Sequence, residues 1–248
     1  MTGSAVMKAG PVKSRKRREN TRFGERPETI SLKIREPGSS LTHFAGLVLT
    51  AIGAGPLIER ARAYGSAATV AGMCVFIAAA CLLYAASTTY HTFVGSLRTT
   101  TILRKIDHSS ISVMIAGTYT PVCLTALKGT VGTRLLIAIW TCAGLGIAVK
   151  LLWITCPKWI SSVLYVLMGW LCVFAMKPIL TALPAGAFIW LLSGGIAYSV
   201  GAVIYAMHPK KFDEKHIYFG SHEIFHVFIM AGTFCHYMVM LRYLVYMK

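Results

Sequence analysis

The sequence predicts an all-α fold, a bundle of seven transmembrane helices. Hydrophobic residues make up 55% of the 248 residues and charged residues only 14%, and the mean hydropathy is +0.60. A soluble domain of this length does not need so much apolar surface. The apolar residues form continuous runs, whereas the strands of a membrane barrel alternate apolar and polar residues. These observations favour a polytopic helical membrane protein.

Seven apolar segments are long enough to cross a hydrocarbon layer of roughly 30 Å as helices that rise about 1.5 Å per residue. The seven-transmembrane domain therefore covers residues 40–248. Residues 1–39 form a basic cytoplasmic tail, rich in Arg, Pro and Gly and poor in aromatic residues, for which we expect disorder. The spans are predicted near residues 41–58, 66–92, 107–127, 133–153, 159–178, 184–206 and 221–246.

The distribution of basic residues indicates how the chain is oriented. The formal net charge is +16, and ten of the 25 Lys and Arg residues precede the first span. With seven spans, 18 of the 25 fall on the side of the N-terminus. The positive-inside rule then predicts a cytoplasmic N-terminus and an external C-terminus in the cell membrane. We expect the tail to lie on anionic lipids of the inner leaflet rather than on nucleic acid.

Four ionisable residues fall at the cytoplasmic ends of three predicted spans. His91 lies near the end of the second span, Asp107 begins the third, and His222 and His226 occupy the first two turns of the seventh. Ionisable groups in such segments are costly unless they are paired, bound to a metal or directed into a watery cavity. Because the three spans bring them to the same depth, we expect the four side chains to form one site.

Three imidazoles are the protein ligands of a catalytic zinc that keeps one position open for water. His222 and His226 are four residues apart, so both rings project from one helix face. We therefore predict a zinc site formed by His91, His222 and His226. Asp107 would accept the proton of the water, whose pKa the metal lowers. Ser87 lies one turn before His91 and would hydrogen-bond the water or the developing oxyanion.

These residues also have simpler interpretations. A single histidine at a helix end, such as His91, is often an interfacial side chain, and Asp107 would suit the N-cap of the third helix. Residues 222–226 read H-E-x-x-H, the metalloprotease pattern in which Glu223 would be the general base of an intramembrane protease. A glutamate in the first turn equally suits a helix N-terminus. The protease is therefore kept as a secondary interpretation.

The cysteines and the other histidines are not expected to form a further site. The seven cysteines are scattered singly without a C-x-x-C pair. Neither a disulfide framework nor a thiolate zinc site is indicated, and we expect the cysteines to behave as small buried hydrophobes. The remaining histidines are expected to be structural or interfacial: His43, His108, His208, His216 and His236.

Several stretches resemble the hemolysin III family, the bacterial branch related to the progestin and adipoQ receptors. The resemblance covers spans 1 to 7 in order and leaves the tail outside. It implies a seven-helix fold with a zinc near the cytoplasmic leaflet, at a site formed by Ser87, His91, Asp107, His222 and His226. The stretches are REPGSSLTHFAGLVL (35–49), STTYH (87–91), LRKIDHSSISVMIAGTYTP (103–121), MGWLCVFAMKPIL (168–180) and HEIFHVFIMAGTFCHY (222–237).

The wider superfamily includes alkaline ceramidases, so the resemblance implies a zinc-dependent hydrolase acting on a membrane lipid amide or ester. An alternative is a receptor-like regulator of membrane homeostasis, in which a structural zinc holds spans 2, 3 and 7 together. A cytolysin, which the family name suggests, fits poorly with seven apolar spans. Three imidazoles leave one position open and favour catalysis, whereas direct ligation by Asp107 would close the site and favour the regulator.

Overall fold

The computed structural model describes residues 34–127, 129–207, 209–216 and 219–247. Within these ranges the chain consists of α-helices and short 3₁₀ turns, without a β-strand, which confirms the all-α prediction. Disorder was predicted for the basic tail, and residues 1–33 of that tail lie outside the described ranges. The α-helices are α1 (Pro37–Tyr64), α2 (Ala67–Thr92), α3 (Leu97–Thr125), α4 (Thr130–Leu152), α5 (Lys158–Gly169), α6 (Met176–Ala182), α7 (Ala185–Met207), α8 (Lys210–Lys215) and α9 (Ser221–Arg242).

Six segments of the described chain are long and apolar enough to cross a membrane, and α3 is not among them. The multi-pass membrane protein is thus confirmed, whereas the predicted count of seven spans is not. The helix α3 has 29 residues, but its buried face carries many hydroxyl side chains that lower its hydropathy. The six segments are α1, α2, α4, Lys158–Ala182, α7 and Ser221–Tyr246.

Two helix boundaries near the predicted site differ from the sequence prediction. Helix α3 begins at Leu97, ten residues before Asp107, and its N-cap is Ser96, whose hydroxyl accepts a hydrogen bond from the backbone N of Thr99. The interpretation of Asp107 as an N-cap is therefore wrong. Helix α1 begins at Pro37, four residues before the predicted start of the first span at residue 41.

The residues just before α1 are tied to the end of α2. The backbone N of Arg35 donates to the carbonyl of Thr92 at 3.2 Å, and the backbone N of Glu36 donates to the carbonyl of His91 at 2.9 Å. The guanidinium carbon of Arg35 lies 3.9 Å from the centre of the Tyr90 ring, a cation–π contact. These contacts bring the start of α1 against His91.

The long helices pack in a closed cyclic order. Going round the bundle, α1 contacts α2, α2 contacts α3, α3 contacts α4, and α4 contacts α5. The order continues through α7 and α9 and returns to α1. Small residues allow the closest approaches: a Cβ at Gly232 of α9 would lie 2.4 Å from the Tyr198 ring of α7. The cyclic arrangement surrounds an interior that helices from opposite ends of the sequence share.

The predicted span 159–178 is one helix interrupted by a 3₁₀ turn, Leu171–Ala175. Pro178 follows shortly after, and its ring is incompatible with a regular helical carbonyl four residues earlier. The backbone groups freed at the break are satisfied by Tyr119 of α3. Its hydroxyl donates to the carbonyl of Gly169 at 2.6 Å and accepts from the backbone N of Cys172 at 3.0 Å.

Candidate metal centre

Three imidazoles meet where α2 ends and α9 begins. Ligand nitrogens of His91, His222 and His226 lie within 4.8 Å of one another, the one such group within the described ranges. His91 and His226 are each 2% exposed, and His222 is partly buried. His91 is one residue from the end of α2 and His222 is the second residue of α9. The structure therefore brings the three predicted ligands together.

The carboxylate of Glu36 fixes the orientation of the His91 ring. Nδ1 of His91 donates a hydrogen bond to Oε2 of Glu36, because an ionised carboxylate can only accept. This bond holds the pKa of Glu36 below its usual value, although partial burial acts in the opposite direction. The proton on Nδ1 leaves Nε2 of His91 with its lone pair directed toward the cluster, as a metal ligand requires.

Thr42 of α1 plays the same part for His226. Its hydroxyl donates to the carbonyl of Gly38 or Ser39, at 3.0 and 2.9 Å. It therefore accepts from Nδ1 of His226, which lies 3.0 Å away. His226 is then left with a free lone pair on Nε2, and the ring is stacked at 3.5 Å on the ring of His43.

The spacing of the nitrogens fits a zinc ion. Nε2 of His91 and Nε2 of His222 are 3.3 Å apart. Two nitrogens at about 2.0–2.1 Å from one ion, at a tetrahedral angle, are separated by roughly 3.3–3.4 Å. An N–H···N hydrogen bond with a proton on His222 also accounts for this distance. Metal binding by the cluster is therefore a proposal that the donor geometry supports.

Asp107 and Ser87 lie beside the imidazoles rather than among them. Both side chains are buried, at 7% and 1% exposure, and both line the cavity that His222 and His226 also line. The Asp107 carboxylate is not part of the group of ligand atoms within 4.8 Å of one another. Its Oδ2 lies 3.3 Å from Nδ1 of His108. Asp107 is thus placed to act on a molecule in the cavity.

The cavity extends from the imidazoles into the interior of the bundle. Its volume is about 160 Å³, an order of magnitude above the ~10–15 Å³ that one water needs. The lining is predominantly apolar, and its polar side chains lie both beside the imidazoles and farther along the bundle, as Thr118 and Ser199 do. Apolar lining residues include Met114, Val122, Ile179, Leu191 and Ile229.

The Glu223 side chain of the H-E-x-x-H sequence is directed away from the cavity lining. One carboxylate oxygen accepts from the hydroxyl of Ser39, and the other accepts from the backbone N of Gly220 at 2.8 Å. Glu223 therefore caps the N-terminus of α9 and joins it to α1. These contacts favour the capping interpretation of Glu223 over that of a general base.

The first helix contributes residues that the sequence analysis did not assign to the site. Glu36 and Thr42 hold two of the imidazoles, and His43 lies in the cavity wall with both ring nitrogens unpaired within the described ranges. From the sequence, His43 is predicted to be structural or interfacial. The sequence signal for these residues was the stretch at 35–49, which contains all three and resembles the hemolysin III family.

The fold and the cluster define a multi-pass helical membrane protein with a buried three-histidine site. A family profile described as "Haemolysin-III related" matches residues 32–237. The chain belongs to this family.

Individual relatives support the same assignment. The chain is 37% identical to "Hemolysin-3 homolog" of Bacillus subtilis (strain 168), over 85% of this chain and 94% of that protein. It is 35% identical to "Hemolysin-3" of Bacillus cereus, over 80% of this chain and 86% of that protein. A shorter match, 32% identical over 31% of this chain and 24% of the relative, is to "ADIPOR-like receptor IZH2" of Saccharomyces cerevisiae (strain ATCC 204508 / S288c). These matches confirm the relationship to the receptor family. No solved structure matches the chain significantly.

Proposed function

We propose that this protein is a zinc-dependent hydrolase that acts on a membrane lipid amide or ester. One observation carries the proposal: the three-histidine cluster opens into an apolar cavity whose wall also holds Asp107 and Ser87. Catalytic zinc sites use three protein ligands, and a predominantly apolar cavity suits an acyl chain. The substrate proposed is a lipid whose scissile bond lies beside the imidazoles.

The roles of the individual side chains follow from their contacts. His91, His222 and His226 would hold the ion, which when bound supplies Lewis-acid chemistry and lowers the pKa of a water. Asp107, buried beside the cavity, would accept a proton from the attacking water at its carboxylate. Ser87 would donate a hydrogen bond to the substrate oxygen as it gains negative charge. Glu36 and Thr42 would keep the imidazoles oriented.

The proposed topology places this site near the cytoplasmic leaflet. We propose that α3 also crosses the membrane, because it packs along both α2 and α4, which are apolar enough to span. Its hydroxyl side chains then face the bundle interior rather than lipid. Seven crossings and the excess of basic residues near the N-terminus give a cytoplasmic N-terminus. The basic tail would then contact anionic lipids on the cytoplasmic face of the membrane.

A reporter fused after Lys248 tests this topology. We expect it to report the external side of the cell membrane, and the same reporter fused before the basic tail to report the cytoplasm. A cytoplasmic signal from the C-terminal fusion would contradict seven crossings, and it would remove the argument for a cytoplasmic site.

The hydrolase is tested by fatty-acid release from a panel of ceramide-like amides and diacyl esters. The full chain, purified in detergent micelles, is assayed with zinc, after chelation, and as His226→Ala. We expect release from at least one lipid, lost on chelation, restored by zinc, and absent in the variant. Release that survives chelation and the substitution would contradict a zinc-dependent reaction at this site.

A receptor-like regulator with a structural zinc is the second candidate. The matches to "ADIPOR-like receptor IZH2" and to "Adiponectin receptor protein" of Drosophila melanogaster, the latter 41% identical over 54 residues, favour it. In that case zinc would hold α2 and α9 together without turnover. A protein that retains zinc, uses Asp107 as a fourth ligand and hydrolyses no lipid in the panel would support the regulator.

A further inference from the structure

A second buried polar cluster lies at the connection between α4 and α5. Lys150, in the last turn of α4, is only 2% exposed. Its ammonium donates to the hydroxyl of Ser161 and contacts the sulfur of Cys156 at 3.1 Å. Within the described ranges no carboxylate forms an ion pair with it. A buried ammonium without a negative partner is costly, so its environment needs an anion.

The hydrogen-bond donors around the sulfur show where that anion is. An ammonium has no acceptor, so Lys150 donates to both of its neighbours. The Ser161 oxygen therefore accepts from Lys150, and the sulfur of Cys156, 3.2 Å away, is the available partner for its own hydrogen. The sulfur of Cys156 thus receives two hydrogen bonds. A thiolate accepts both as strong, charge-assisted hydrogen bonds, whereas the sulfur of a neutral thiol accepts them only weakly.

The charged and polar groups facing Cys156 act in the same direction. Burial raises the pKa of the Cys156 thiol, but hydrogen bonds from Ser161 and Lys150, with the positive charges of Lys150 and Arg104, more than offset this and bring the pKa below its usual value. The phenols of Tyr165 on α5 and Tyr205 on α7 also interact electrostatically with Cys156, and both phenols in turn interact with the Asp107 carboxylate of α3. The groups that act most strongly on Cys156 itself are the ammonium, the guanidinium and the hydroxyl named above.

We propose that Cys156 is a thiolate paired with Lys150 and that it is a modification site for hydroperoxides, separate from the imidazole cluster. Cys156 is 5% exposed, but its sequence neighbours Thr155 and Pro157 are exposed, so one layer of side chains covers it. A slender peroxide can reach such a sulfur. Ser161 also lines the cavity, which gives a second approach from the interior of the bundle.

The reaction is balanced by the residues present. The thiolate sulfur attacks the terminal oxygen of the hydroperoxide, so that an S–O bond forms and the O–O bond breaks. The sulfur is oxidised to a sulfenic acid, and the peroxide is reduced to an alkoxide or hydroxide. That leaving group takes a proton from the Lys150 ammonium and departs as an alcohol or as water. The sulfenic acid and the Lys150 amine are then both neutral, so the ion pair between them is lost.

The test measures sulfenic acid formation at every cysteine of the full chain in detergent micelles. The protein is exposed at pH 6 and pH 8 to hydrogen peroxide or to a fatty-acid hydroperoxide, trapped with dimedone and analysed by peptide mass spectrometry. An ordinary thiol of pKa about 8.5 loses thiolate by nearly two orders of magnitude between these pH values. Because the proposal makes Cys156 a thiolate at both pH values, we expect its labelling rate to change less than about threefold.

Matched variants assign the effect to the lysine. Lys150→Met is expected to restore the steep pH dependence at Cys156, and Ser161→Ala gives a smaller change in the same direction if Lys150→Met does not fold. Lys105→Met is the control, because its ammonium donates to the carbonyl of Leu151 at 2.6 Å and does not contact the sulfur.

The outcomes separate the oxidants and the hypotheses. If Cys156 is oxidised with a shallow pH dependence by hydrogen peroxide but not by the fatty-acid hydroperoxide, the thiolate site is supported and its oxidant comes from the aqueous phase. The same result with the fatty-acid hydroperoxide assigns it to the membrane. A steep pH dependence at Cys156, or no labelling there while the exposed Cys74 is labelled, would overturn the proposal.

Discussion

The two buried polar clusters of this protein are built in opposite ways. In the imidazole cluster, Glu36, just before α1, and Thr42 of α1 bind Nδ1 of His91 and of His226, so that the free lone pairs on the two Nε2 atoms converge. In the Lys150 cluster, donors converge on the sulfur of Cys156. The first arrangement suits a cation and the second suits an anion. The two proposed sites therefore differ in chemistry, and the second one adjoins the cavity through Ser161.

The difference also shows which groups can be removed without losing the site. An imidazole of the first cluster binds directly, whereas Glu36 and Thr42 act only through the ring that they hold. In the second cluster, Lys150 supplies both the positive charge and a hydrogen bond directly to the sulfur of Cys156. Substitutions in the imidazole cluster should therefore produce graded effects.

Among the residues that do not bind the metal, Asp107→Asn is expected to cause the largest loss of turnover. The amide cannot accept a proton from water, so we expect fatty-acid release to fall by at least about 100-fold, within the range of ~10²–10⁴ for general base catalysis. Zinc content should stay at the wild-type level because Asp107 lies outside the ligand group. Both quantities are measured on the same purified sample.

Glu223→Gln is the matched control for Asp107→Asn. Glu223 binds Ser39 and the backbone N of Gly220, so its substitution should leave turnover near the wild-type rate. If instead Glu223→Gln abolished turnover and Asp107→Asn lost the metal, Glu223 would replace Asp107 as the base, as in the H-E-x-x-H metalloprotease pattern, and cleavage of peptide substrates would then be assayed to decide for an intramembrane protease.

A smaller effect is expected from Glu36→Gln. The amide keeps the size of the side chain but binds Nδ1 of His91 less strongly, and loss of such a partner weakens metal affinity by about 10- to 100-fold. Competition with a zinc chelator measures the affinity. The control is Glu59→Gln, an exposed glutamate farther along the same helix. Equal zinc affinity in the two variants would show that Glu36 does not orient the ligand.

The smallest effect is expected from Ser87→Ala. It removes one hydrogen bond to the reacting oxygen, worth about 0.5–1.5 kcal/mol, or roughly a 2- to 10-fold fall in turnover. Zinc content should not change. The comparison is with Thr89→Ala, because the Thr89 hydroxyl donates to the carbonyl of Ala85 and is not among the residues that line the cavity. If turnover fell equally in both variants, a general loss of packing would explain the result.

The sequence predicted the elements of the fold because long apolar helices leave a clear pattern. The prediction that α3 is an apolar span was not confirmed. A helix enclosed by its neighbours can carry serine and threonine on its buried face, and these residues lower its hydropathy. The start of α3 was also missed, because the polar residues 97–106 extend the helix beyond the apolar run. Hydropathy locates spans rather than the helices that contain them.

The candidate site was predictable only where its residues lie on apolar segments. His91, His222 and His226 stood out against their surroundings, and the structure brings them together. Glu36 was missed because it belongs to a polar stretch before the first span. From its sequence position, Lys150 looks like an ordinary basic residue at the end of a span. Its burial against Cys156 results from the fold of the 153–157 connection, which the sequence pattern did not predict.

The metal content of the purified protein tests the central claim most directly. The full chain, His226→Ala and His236→Ala are loaded with zinc, dialysed and measured by elemental analysis. His236 is the matched control, since it is also buried on α9 but lies outside the cluster. We predict about one zinc per chain in the wild type and in His236→Ala, and less than about a tenth of that in His226→Ala, because removing a ligand greatly weakens the site. Equal zinc in all three proteins, or none in the wild type, would contradict a zinc site at these three histidines.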